Sequence, residues 1–400
     1  MKNQFKLETK PDSNAASPTI HELAKRLKVS VATVWRAINN KGRISATTRA
    51  RVLAAIDTLG YRPSLVAQNL VNQRTGLLGV VVPMIGNTVY SPMVRAIEQE
   101  AFERGYNIIL CDTGLDYDRE RRYLDLLLRR RVEGVIMIPF APRPTGGERH
   151  LLELEKAGVP LVLLEQDLPL PGIARVVADN RGGIRTAVRH LTGLGHHRIG
   201  FLYMPPVAWD FAARARLDGF RAAVTELGFA PEAAPELAIG DLLANEDAID
   251  RQIAQLVTQL MARHDRPTAI VAPTDMLAIK TMRCLWLAGV RVPDELAIVG
   301  FDDILAAAHT TPSLTTMRQP TAAMGTRAAE RLFARIRGDT VTAPEREVLP
   351  CELIVRESCG TGRPMSTLRP ARFSEAARVS GGHPTTDQTK RRDVVPNLVA

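Results

Sequence analysis

The sequence is poor in the features that mark secreted, membrane-spanning or metal-stapled chains. Cysteine occurs 4 times in 400 residues, at Cys111, Cys284, Cys351 and Cys359. No two form a CxxC pair, none has a histidine at metal-ligand spacing, and so sparse a set builds no disulfide framework. Reduced thiols are expected. No apolar run approaches the roughly 18 residues that a membrane helix needs, and the opening stretch MKNQFKLETKPDSNAASP has no signal-peptide core. A cytoplasmic location with no membrane partner is therefore expected. The P-loop, GxSxG and HExxH patterns are missing as well. No enzyme, cofactor or metal site is expected.

Acidic charge is scarce at one end. The chain has 52 Lys and Arg against 43 Asp and Glu, a net charge of +9. Through Thr75 there are 13 basic residues and only four acidic ones, Glu8, Asp12, Glu22 and Asp57, so the rest of the chain is balanced. A basic head on a neutral body fits a polyanion-binding module joined to a larger globular part; a merely solvated basic surface is the alternative. The length also exceeds what one hydrophobic core organises, so two or three domains are expected.

Residues 1–18 are polar, contain two prolines and show no periodicity, which predicts a flexible leader. From 19 to 63 the pattern is helical. Thr19-x-x-Glu22 is a capping box ahead of Ile20, Leu23, Ala24 and Leu27. After the break Lys28-Val29-Ser30, Ser30 can cap a second helix carrying Val31, Val34 and Ile38. Ser45 can cap a third carrying Val52, Ala55, Ile56 and Leu59, stopped by Gly60 and Pro63. Three short helices, the first two joined tightly, describe an all-α helix-turn-helix headpiece. The body instead alternates apolar strands, among them 77–82, 106–111, 134–138, 160–164, 198–203, 268–272 and 296–300, with helical stretches. Such alternation predicts parallel sheets covered by helices on both faces. About nine strands are too many for one sheet, so the core over 76–362 is read as two doubly wound subdomains with a ligand cleft between them. Beyond 362 the chain is rich in Pro, Gly, Ser, Thr and Arg, and 363–400 is read as a disordered tail.

The stretch TIHELAKRLKVSVATVWRAINNKGRISATTRARVLAAIDTLGYRP, followed by SLVAQNLVNQRTGLLGVVVP, resembles the headpiece, hinge and first core strand of the LacI/GalR family of bacterial transcription repressors. ADNRGG, HLTGLGHHRIGFL, RLDGF, PTDMLAIK, GVRVPDELAIVGFDD, TPSLTTMRQP, MGTRAAERL and LPCELIVRES follow in the family's order. The resemblance implies a DNA-binding headpiece (19–63), a hinge helix and linker (64–75) and a periplasmic-binding-protein-like core. It further implies a homodimer on a pseudo-palindromic double-stranded DNA operator, with a sugar or sugar derivative as effector.

The second helix of such a headpiece enters the major groove with its first residues against base edges. Arg36 can give two hydrogen bonds to a guanine or lie on phosphate. Val31 and Ala32 offer apolar contact to a thymine methyl. Ser30 and Thr33 suit phosphate contacts, although Ser30 also caps, and Asn39 completes the face. Trp35 departs from the small polar residue usual in the family; its indole either donates to phosphate or packs with Val31 and Ile38. By the resemblance, Pro63 to Leu70 forms a hinge helix on DNA, and Leu70 wedges between base pairs, the alternative being a core leucine docked on the body.

For the effector, Asp275 opens a helix after strand 268–272 and can accept from vicinal hydroxyls, its alternative role being helix capping. Arg216 matches the family arginine that faces the cleft, with a surface arginine as the alternative. Asn87, Tyr90, Phe140, Asp179, Asn180 and Gln319 are weaker candidates; the first loop departs from the family's usual N-P-x-[FY]. The leading function is a repressor of a carbohydrate or related operon under small-molecule control. Two alternatives stand beside it: a small-molecule-binding protein, and a regulator whose core senses a protein partner.

Overall fold

The computed structural model describes residues 18–38, 40, 42–61, 74–139, 148–205, 210–240, 246–339 and 345–360. The leader through residue 17, Asn39, the hinge segment with Leu70, Phe140 and the tail from 361 lie outside the described residues.

Three helices form the headpiece: α1 (Ile20–Leu27), α2 (Val31–Ile38) and α3 (Ala46–Leu59). The capping box is made in full: the Thr19 side chain accepts from the Glu22 N–H, and Glu22 Oε2 accepts from the Thr19 N–H at 2.7 Å. Ser30 Oγ accepts from Thr33 N at 3.1 Å, and Ser45 caps α3 by accepting from Thr48 N. Gly60 ends α3 in the left-handed conformation, φ 63°, where a glycine carries no Cβ penalty. Leu23, Ala24, Val34, Ala37, Val52 and Tyr61 close into one small core. These short helices are held by that shared core, since helices of eight residues are marginal alone.

The body contains two six-stranded sheets. The first has β1 (Leu77–Val82), β2 (Asn107–Asp112), β3 (Gly134–Met137), β4 (Leu161–Leu164), β5 (Ala174–Ala178) and, late in the chain, β11 (Arg346–Leu349), in the order β11-β5-β4-β3-β1-β2, all parallel. Alternate residues of β1 divide its faces. Leu78, Val80 and Val82 pack with α4 (Ser91–Glu103) and α11 (Thr321–Arg337), whereas Val81 packs with α5 (Tyr117–Arg129) and α6 (Arg149–Lys156). The second sheet has β6 (Ile199–Tyr203), β7 (Glu236–Ala238), β8 (Ala269–Val271), β9 (Ala297–Asp302), β10 (Thr315–Arg318) and β12 (Glu352–Ile354), in the order β12-β10-β9-β8-β6-β7. One face meets α7 (Asn180–Gly193) and α8 (Phe211–Glu226); the other meets α9 (Glu246–Met261) and α10 (Asp275–Leu287).

Two features differ from the expected body. Twelve strands are present among the described residues, not about nine; the edge strands β7 and β12 have only three residues each, too few to show a periodicity. The second sheet is not wholly parallel either: β12 runs antiparallel to β10, as a short return at the sheet edge permits.

The chain passes between the sheets three times, at 179, at 319–320 and at 350–351. The first and third crossings are hydrogen-bonded, with Asp179 N donating to Leu349 O at 2.8 Å.

Candidate functional site

On the headpiece, Ala32 and Arg36 are one turn apart on α2 and both exposed. Arg36 lies against Gly42, which has φ +75°; a Cβ there would meet the Arg36 Cδ at 3.2 Å. Ser30 is exposed and caps, while Thr33 is half-buried and joined to it at 2.9 Å between hydroxyls. Val31 and Trp35 are half-buried, Val31 packing against the headpiece core. Lys25, Arg26, Lys28, Arg36, Arg43, Arg49 and Arg51 outnumber Glu22 and Asp57 among the described headpiece residues. The described headpiece therefore carries a net positive charge, and Arg36 is the long exposed side chain of α2.

In the body, a cavity of about 460 Å³ opens between the two subdomains at the carboxyl ends of their strands, where open α/β sheets collect ligands. The first subdomain contributes Asn87 and Tyr90 after β1, and Glu165 and Gln166 directly after β4. The second contributes Asp210, the N-cap of α8, together with Arg216, Lys280 and Asp302, the last residue of β9. Two of the carboxylates sit on unusual backbone: Glu165 has φ 66° and Asp302 φ 126°. Non-glycine residues rarely hold such angles, and here the strain aims both side chains into the cleft.

Arg216 is the centre of the arrangement. It is 5% exposed, its Nε donates to Asn180 Oδ1 and its Nη1 to the Pro273 carbonyl, each at 2.7 Å, and its guanidinium lies 4.1 Å over the Phe301 ring. Its Nη2 stands 3.6 Å from both Glu165 Oε1 and Asp302 Oδ1, beyond hydrogen-bond reach. Among the described residues Nη2, Glu165 Oε2 and Gln319 Oε1 are buried without a hydrogen-bond partner. A ligand in the cavity that donates to Glu165 and accepts from Nη2 would satisfy the two of these atoms whose residues line it.

Burial dominates the ionisation here. It raises Asp302 to about 8 against the pull of Arg216, and raises Glu165 and Asp210, each with Arg216 again opposing. The Tyr90 phenol is pushed well above 10 by burial and then by Glu165, Asp210 and Asp302, so it enters the cavity neutral.

The structure brings Arg216, Asn87 and Tyr90 to the cavity as expected, but it corrects Asp275 and relocates Gln319. Asp275 is fully buried behind the cavity wall. Its Oδ2 accepts from Ile304 N at 2.9 Å and its Oδ1 from Thr316 Oγ1 at 2.5 Å, so neither oxygen faces a ligand. It ties the start of α10 to β10 and to the loop that follows Asp302. Burial lifts its carboxyl to about 6. Gln319 lies on the second crossing, where its Nε2 donates to Asp302 Oδ1 at 2.7 Å. Asn180, on the first crossing, holds Arg216, and Asp179 caps α7 through Gly182 N. Glu165, Gln166, Asp210, Lys280 and Asp302 were not anticipated. The available signal was position: Glu165 and Asp302 each terminate a strand at its carboxyl end.

A model of the bacterial regulatory proteins, lacI family, matches residues 19–64, and a periplasmic binding protein-like domain matches 188–359. The transcriptional regulator DegA of Bacillus subtilis is 33% identical over 345 residues, covering 85% of this chain and 97% of that protein. The chain belongs to the LacI family. The ribose operon repressor of Halalkalibacterium halodurans is 34% identical over 349 residues, 86% of this chain and 98% of its own length. Among solved structures, the Lac repressor dimer bound to operator and the anti-inducer ONPF superposes with a TM-score of 0.74 at 28% identity, covering 86% of this chain and 99% of that one. A LacI family regulator of Enterococcus faecium with bound ribose gives 0.60 at 28% identity, over 70% of this chain and 98% of that one. This LacI-family chain is thus a DNA-binding transcriptional regulator with an effector-binding core. No described helix is long and apolar enough to cross a membrane.

Proposed function

We propose that the protein is a repressor that binds a pseudo-palindromic operator as a homodimer, and that a small polyhydroxylated effector, a sugar or sugar derivative, occupies the cleft and relieves repression. In this reading 19–63 is the headpiece, 64–75 the hinge and 76–362 the core. Ser30, Val31, Ala32, Thr33, Trp35, Arg36 and Asn39 meet the major groove, and Leu70 the minor groove. The observation that carries it is the pairing, in one chain, of an exposed Ala32–Arg36 ridge on a basic headpiece with an interdomain cavity whose buried oxygens and guanidinium lack partners. Two-fold symmetry doubles the few base pairs one headpiece can read. The test is selection of genomic fragments by the full chain, followed by release of the bound fragment with a panel of free sugars. An inverted repeat among the fragments and release by a sugar are expected. Release by no small molecule, with none raising the unfolding temperature, would point to a core that senses a protein partner.

A further inference from the structure

The cleft of this chain is built against negative charge. Among the described residues lining it, Glu165, Asp210 and Asp302 are carboxylates, each at most 9% exposed, and the cations are Arg216 and Lys280. Arg216 stands near Glu165 and Asp302 at 3.6 Å, while Lys280 Nζ is drawn away to Asp250 Oδ1 at 2.6 Å. Even with a proton held on Asp302 at neutral pH, Glu165 and Asp210 outnumber the one guanidinium between them.

The helix starts nearby lead the same way. A helix amino terminus ordinarily offers an anion its free N–H groups and the positive end of the dipole. Three of these starts carry an acidic side chain, whereas α4, whose N-cap Tyr90 lines the cavity, has no side-chain cap. Asp210 occupies the start of α8, accepting from Ala213 N at 3.0 Å, Asp179 that of α7, accepting from Gly182 N at 2.8 Å, and Asp275 sits in the first turn of α10. Of the described residues lining the cavity, the buried side-chain atoms without a hydrogen-bond partner are one acceptor, Glu165 Oε2, and one donor, Arg216 Nη2, so the excess of acceptors lies in the carboxylates themselves. An incoming phosphate or carboxylate brings acceptors and charge, both of the kind already in excess.

We propose that the cleft excludes anionic sugars and takes an unphosphorylated, non-acidic polyol whose hydroxyls donate to Glu165 and Asp210 and accept from Arg216. An amino group replacing a hydroxyl is tolerated at the carboxylate side. This rests on the cleft being the effector site, as proposed above, and specifies the chemical class of that effector.

The experiment uses the full-length protein at pH 7.5 with thermal unfolding and calorimetric titration. The probes are ribose with ribose 5-phosphate, and glucose and galactose each with its 2-amino, 6-phosphate and aldonic acid forms. At least one neutral sugar is expected to bind, its amino form to stay within about tenfold, and its anionic forms to bind about a hundredfold or more weaker, the scale of one uncompensated charge contact in a partly buried site. Asp210→Asn retains helix capping, and with Glu165→Gln it separates charge from size: each should narrow the neutral-over-anionic ratio about tenfold. An anionic form binding as tightly as its neutral parent overturns the inference and leaves the polyol reading standing. An undiminished ratio in both variants also overturns it, because exclusion would then be steric. Binding by no member of the panel overturns the polyol effector itself.

Discussion

Arg36 is the exposed long side chain of α2, and its guanidinium is the group of this ridge able to give two parallel hydrogen bonds to guanine. Arg36→Ala should relax preference at one base pair per half-site by about 1 to 3 kcal/mol, read from competition among operator variants. Equal weakening on every sequence would assign the side chain to phosphate. The cleft supplies a second residue-scale expectation. Burial raises the Asp302 carboxyl to about 8, well above the ordinary carboxylate range, so near neutral pH the folded state holds a proton that the unfolded chain has lost. That contribution to stability is complete below about pH 4 and is lost as pH rises through about 8. The ligand-free protein should lose on the order of 1 to 2 kcal/mol between pH 6 and 8, and Asp302→Asn should flatten that slope. A slope unchanged in Asp302→Asn would show that Asp302 is ionised in the folded protein. At this scale the sequence disclosed Arg36 and Arg216, whose surroundings are local or carried by motif order. It concealed the difference between Asp275 and Asp302. Asp275 follows β8 and Asp302 ends β9, and only the fold shows that Ile304 N and Thr316 consume the first while the second, at φ 126°, lines the cavity.

Elements were legible where periodicity and caps agreed. The headpiece helices begin at Thr19 and Ser45 because those side chains accept the first free N–H groups, a signal written within four residues of sequence. The three-residue edge strands β7 and β12 were not legible in this way, being too short to show a periodicity. Motif glycines have a packing reason that sequence alone does not give. Gly219 in RLDGF lets α8 approach α7 so closely that a Cβ would sit 2.6 Å from the Arg181 carbonyl oxygen. Gly325 in MGTRAAERL does the same for α11 against the Met93 carbonyl on α4. Backbone cannot yield as a side-chain tip can. Gly219→Ala, although alanine is the better helix former, should therefore destabilise the core by about 1 to 3 kcal/mol in denaturant unfolding. A neutral or stabilising result would mean that the α7–α8 contact opens at little cost.

For the whole molecule the question is how a ligand in the cleft reaches a headpiece on DNA. The three crossings are the covalent joints between subdomains, and two of them are hydrogen-bonded to the site itself. Asn180, just past the first, accepts from Arg216 Nε, and Gln319, on the second, donates to Asp302. A ligand that engages Arg216 and Asp302 therefore bears on both joints, favouring one closure of the subdomains over another. By linkage, if ligand weakens operator binding by some factor, operator must weaken ligand binding by the same factor, typically 1 to 3 kcal/mol, or about 5 to 150-fold. Asn180→Ala removes one joint contact but leaves Arg216 its bond to the Pro273 carbonyl and its place over Phe301. Ligand affinity in the free protein should fall modestly, about three- to tenfold, while the ratio of ligand affinities without and with operator moves toward one. Calorimetric titration of ligand into the free protein and into its operator complex measures both numbers. A lowered affinity with an unchanged ratio would show that the crossing supports the pocket without carrying the signal, and would shift the coupling to Gln319 or to the covalent path through Pro350 and Cys351.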